Sequence, residues 1–177
     1  ASNTLLAMTT TTPARRPVVG LLLAVAGVAA LLAILFVFIA PSLGGAWLGI
    51  IADAALFLAF LFMAIGRGAG VFIRVLYAIG AVGWAILLID SFVSLGTVYT
   101  IGVVLAIVGT LLSGIVGIIR HVYSRSADLV YLLAAIVVSI ILFNQLHGFL
   151  TGTLAIIVSV LYGLLLLVAG IFIALRK

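Results

Sequence analysis

Cysteine is absent from this chain. That excludes disulfides, thiolate nucleophiles and cysteine-held zinc or iron–sulfur sites. Charge is almost absent too. Charged residues make up 6% of the 177, against about 25% in a soluble domain. The three acidic residues are all aspartate, at Asp53, Asp90 and Asp128. Proline stops at Pro41, so no later apolar run contains this helix breaker. Motifs of chemistry are missing as well. His121 and His147 lack metal-binding spacing, no serine has a GxSxG context, and no glycine loop carries a phosphate-cradling lysine. One aspartate deep in an apolar run is too few for paired-carboxylate chemistry. The expectation is a protein that is not an enzyme and holds neither metal nor cofactor.

What the chain does have is apolar length. Hydrophobic residues reach 68%, with a mean hydropathy of +1.63. Such a chain has too little polar surface to face water, so its solvent is the lipid bilayer. Six apolar segments stand out: Val18–Ala40, Gly45–Gly66, Val71–Phe92, Thr97–Ile119, Leu129–Leu146 and Thr151–Leu175. Each has 18 to 25 residues, where about 20 cross a bilayer as helix. Short connections make successive helices antiparallel neighbours. The fold class predicted is all-α, a polytopic transmembrane bundle of six helices with short loops. Residues 1–17 read as a disordered cytoplasmic tail and 18–177 as one transmembrane domain. The first segment has spanning length and reads as an uncleaved helix rather than a secretory signal.

The net charge of +5 does not point to nucleic acid, because the basic residues come in pairs at segment ends. Six spans place Arg15, Arg16, Arg67, Arg74, Arg120, Arg125, Arg176 and Lys177 on one side and none on the other. Basic residues are retained in the cytoplasm during insertion. The expectation is therefore a bacterial-type plasma membrane with both termini cytoplasmic. Trp47 and Tyr99 would then meet the outer interface, and Tyr123 and Tyr131 the inner one.

Small residues recur four apart, as close helix contact in lipid requires. Gly45 and Gly49 do so ahead of Asp53. Gly109, Ser113 and Gly117 do so in the fourth segment, and Ala155, Ser159 and Gly163 in the sixth. All are predicted to pack helices. An internal echo accompanies them: GLLLAVAG at Gly20–Gly27 resembles GVVLAIVG at Gly102–Gly109, an offset of 82. Halves of three helices related this way would be inverted in the membrane.

The run from Arg16 through Gly20-Leu-Leu-Leu and Gly27 to Pro41 resembles the HdeD-like membrane proteins. So does the last segment, from Gly163 through Gly170-Ile to Arg176. The resemblance implies a six-helix architecture and an association with acid resistance. It brings no catalytic residue.

The second segment carries the pointed feature. Asp53 lies roughly 12 Å below the outer end of its helix, at 1.5 Å per residue. A charge near the bilayer centre costs roughly 2.5–3.5 kcal/mol, so it has a partner or a task. Trp84, Ser139 and Tyr162 lie at comparable or somewhat greater depth and offer donors. Asp90, Asn144, Gln145 and His147 lie near the outer ends, as an outer vestibule or as helix-end residues closing turns. Two functions follow. One is a structural, accessory or stress-related subunit that packs inside the bilayer with itself or a larger membrane complex. The other is a small transporter or channel using Asp53 for protons or a small cation. They differ in one observable, since only the second needs an open path to Asp53.

Overall fold

A computed structural model of the chain describes residues 16–39, 46–66 and 70–175. They form α1 (Arg16–Ile39), α2 (Ala46–Ile65), α3 (Val71–Asp90), α4 (Thr97–Arg120), α5 (Arg125–His147) and α6 (Gly152–Leu175). All six are long and apolar enough to cross a membrane, and the described residues contain no strand. The chain is an integral membrane protein. Helix satisfies every backbone donor and acceptor within its own segment, which is why uninterrupted apolar sequence settles into it in lipid.

The helix ends have local causes. Ser124 accepts from the Ala127 amide at 3.2 Å and starts α5. This sets α5 four residues earlier than its apolar run suggests and brings Asp128 inside the helix. At the other end Gly148 adopts a left-handed conformation and donates to the Asn144 carbonyl at 2.7 Å. The turns between helices are closed by carboxamide and carboxylate groups. Asp90 Oδ1 accepts from the Leu95 amide at 2.8 Å, and Asn144 Oδ1 from the Leu150 amide at 2.6 Å.

The helices form a ring. Among the described residues each packs on its neighbours in sequence, α6 closes against α1, and no pair packs across the ring. Two seams bring backbones closest. At α1/α6, a Cβ added to Gly20 would lie 2.5 Å from the Gly170 carbonyl oxygen, and one on Gly27 2.6 Å from that of Gly163. At α3/α4, a Cβ on Gly109 would collide with the Gly80 backbone, and one on Gly83 with that of Ala106. The repeated glycine pairs, Gly20 with Gly27 and Gly102 with Gly109, thus occupy the two seams that join the three-helix halves.

The small-residue predictions divide. Gly109, Ser113, Gly117 and Gly163 are buried between helices as expected. Gly49 is not: it is exposed, and a Cβ there would meet nothing within 4 Å. Ser159 faces an internal cavity rather than a neighbouring backbone, and Ala155 is only half-buried. Gly45 lies outside the described residues, as do most of the N-terminal tail and the C-terminal basic pair. Tyr131 also departs from expectation. It is buried and shares a 2.9 Å hydrogen bond with Ser113 instead of sitting at an interface.

Arg74, Arg120 and Arg125 lie at one end of the ring, hereafter the basic end. Arg74 Nε donates to the Ala64 carbonyl at 2.8 Å, and the Arg120 guanidinium lies 5.9 Å from the Phe72 ring centroid. Orientation is testable in this cysteine-free chain. Ser94→Cys, exposed at the far end, should react with an impermeant thiol reagent added outside cells. Ser126→Cys, exposed at the basic end, should react only after lysis. Ser124 is unsuited to the test because it caps α5. Labelling of Ser126→Cys in intact cells would reverse the proposed orientation.

Candidate functional site

The ring leaves space on its axis. Toward the basic end that space is filled by large side chains. Phe60 and Tyr77 meet edge to face at 6.1 Å, and Tyr131 lies against Ser113. Trp84 is buried and donates its indole N–H to Thr110 Oγ1 at 3.3 Å. Beyond Trp84, toward the far end, the axis is open as a cavity of about 400 Å³.

All six helices line this cavity. Its apolar wall comes from Ala30, Ala33 and Ile34 of α1, Leu87 of α3, and Val138, Ile141 and Leu142 of α5. Polar groups come from Asp53, Asp90, Ser91, Tyr99, Gln145, Ser159 and Tyr162. Among the described residues, no lysine, arginine or histidine lines it. Gly49, Ser91 and Gln145 are exposed near the far ends of their helices and mark the mouth. A side chain at Gly49 would project into open space, so this glycine does not bring helices together.

Asp53 sits about two turns inside α2, between mouth and floor. Among the described residues it makes no hydrogen bond and no ion pair. The side chains of Tyr162 and Tyr99 line the same cavity. The other polar groups are more committed. Tyr99 donates to Gln145 Oε1 at 2.6 Å across the α4/α5 seam. One oxygen of Asp90 holds the Leu95 turn. Among the described residues, the carboxylate of Asp53 and the hydroxyl of Tyr162 are thus left without a hydrogen-bond partner, and Asp53 is the acid of the two.

Of the predicted intramembrane group, Asp53, Trp84 and Tyr162 come together around the cavity. Ser139 does not join them, because its hydroxyl donates to the Ala135 carbonyl at 2.7 Å within α5. That back-bond satisfies a serine facing an apolar neighbourhood without any partner helix. Trp84 contributes its ring, its donor being spent on Thr110. Of the predicted vestibule, Asp90 lines the cavity. Asn144 serves the turn, and His147 is exposed and stacked on Phe143 at 4.2 Å. Gln145, named beside them, does line it.

Sequence reasoning missed two features. Asp128 is buried at 2% exposure, and both its carboxylate oxygens accept from the Tyr123 amide at 3.3 Å. Its place just before an apolar run made it look like loop, and the signal that would have found it is Ser124 as a helix cap. The other feature is the alanine-rich wall of α1. Small apolar residues look alike in sequence whether they face a helix or a void. Among the described residues no group of three or more His, Asp or Glu could hold a metal ion. No family of known proteins, no curated protein and no solved structure matches the chain.

Proposed function

We propose that this integral membrane protein admits cations from the far end of the ring to a central site at Asp53, as a small transporter or channel and not as an enzyme. One observation carries the reading: a cavity lined by all six helices reaches a carboxylate that, among the described residues, has no hydrogen-bond partner and no cationic neighbour in the lining. A carboxylate held this way attracts positive charge, and low-dielectric walls focus its field toward the mouth. The alternative of a subunit that packs on a larger complex has less support. The small-residue faces it would use are spent inside the ring, at Gly109, Ser113 and Gly163. In the proposed orientation the mouth opens outside and the aromatic floor separates it from the cytoplasm. Passage would require that floor to move.

Charged thiol reagents test the reading directly. Gly49→Cys and Ser159→Cys place a thiol at the mouth and on the wall. Both should react faster with a cationic thiosulfonate than with an anionic one of similar size, by roughly ten-fold or more. Asp53→Asn should shrink that ratio. Equal rates, or no reaction at Ser159→Cys, would remove the basis for a cation path.

A further inference from the structure

We propose that the cavity takes an organic cation, an amine or quaternary ammonium carried on an apolar body, with Asp53 as its counter-ion. This rests on the cation reading above and names the class of cation. Size is the first argument. A proton needs no chamber, and one water occupies about 30 Å³ of liquid. The cavity holds about 400 Å³, within the roughly 300–1,000 Å³ range of small-molecule sites.

Donor chemistry is the second. A hard metal ion wants about six oxygens at roughly 2.0–2.6 Å. Here Asp53 is the carboxylate unspent by hydrogen bonds, among the described residues no group of three or more His, Asp or Glu could hold a metal ion, and most of the surrounding wall is aliphatic, from Ile34, Leu87, Ile141 and Leu142. That wall cannot replace a metal ion's water shell. It can replace the poor hydration of an alkyl or aryl group, at roughly 25 cal/mol per Å² buried. Aromatic rings are the third argument. Trp84, Tyr99 and Tyr162 line the space around Asp53, and the N–H of Trp84 and the O–H of Tyr99 are already donated elsewhere. What these two residues have left to offer is ring surface, which attracts organic ammonium groups. Among the described residues, an anion would meet two aspartates and no cation. A neutral apolar molecule would leave Asp53 desolvated without compensation.

The test uses the full chain in lipid nanodiscs, with benzyltrimethylammonium as probe and its neutral carbon isostere, neopentylbenzene, as control. Calorimetry should show saturable binding of the cation and none of the isostere. Asp53→Asn should weaken binding at least ten-fold, and Asp53→Glu should restore part of it. Ser159→Phe, which fills the cavity from α6, should also abolish binding; it keeps the test decisive if Asp53→Asn folds poorly. Equal binding of cation and isostere, or unchanged affinity in Asp53→Asn, would overturn the assignment. If the organic cation fails to bind while sodium or proton flux still depends on Asp53, the class is wrong and the cation path stands. If no cation depends on Asp53, both fall.

Discussion

Gly109→Ala should lower the thermal midpoint of the purified protein sharply, and Gly109→Leu should leave little folded protein in the membrane. A Cβ at this position collides with the Gly80 amide nitrogen and Cα and lies 2.9 Å from the Leu76 carbonyl oxygen. These opposing atoms are backbone, so no rotamer change relieves the clash and α3 must move away from α4. Overpacking that side chains can absorb costs about 1–3 kcal/mol. A clash between helix axes belongs at or above the top of that range, a large share of the roughly 5–15 kcal/mol that holds a typical fold. Separation would also break the Trp84–Thr110 hydrogen bond and disturb the cavity floor. Gly49→Leu is the matched control. The same substitution at another predicted packing glycine should leave the midpoint almost unchanged, because its Cβ meets open space. Equal midpoints for Gly109→Ala and the parent protein would mean that α3 and α4 do not approach as described.

That contrast shows what the residues could and could not disclose. The six spans were legible because a continuous apolar run of about 20 residues satisfies its backbone in lipid as a helix, whereas barrel strands alternate apolar and polar residues. The direction of a small residue was not. Gly109 and Gly49 have equivalent surroundings in sequence, yet one joins two helices and the other edges a void. Closure of the ring depends on α1 meeting α6, residues far apart in the chain, and periodicity within a segment carries no record of that. Its trace was the glycine spacing shared by Gly20–Gly27 and Gly102–Gly109, which marks both tight seams. At the site, Asp53 and Tyr162 were legible through depth alone. Ser139 failed because a hydroxyl in lipid can turn back on its own helix. Asn144 failed as a vestibule group because the turn after α5 claims its carboxamide, and His147 because its exposed ring stacks on Phe143.

Asp53→Asn and Asp53→Leu should both fold, and both should lose cation-dependent activity. Were Asp53 a tie between helices, leucine would strand a donor on another helix and destabilise the ring. Asp53 makes no hydrogen bond or ion pair among the described residues, so nothing is stranded. The carboxylate is itself the strained group, half-buried beside an aliphatic wall. Removing an uncompensated polar group from such a place relieves a cost of about 1–3 kcal/mol in full burial, and less here because the mouth admits water. The midpoint of Asp53→Leu should therefore equal or exceed that of the parent. Activity moves the other way. In proteoliposomes, cation flux should fall at least ten-fold in both variants, the factor that about 1.4 kcal/mol of lost attraction gives. Asp53→Glu, which keeps the charge, should retain part of it. A gain in stability paired with loss of flux is the signature of a group kept for function at the expense of the fold. The opposite pairing, a clear loss of midpoint in Asp53→Leu with flux intact in Asp53→Asn, would return Asp53 to a structural role and leave the cavity without its cation site.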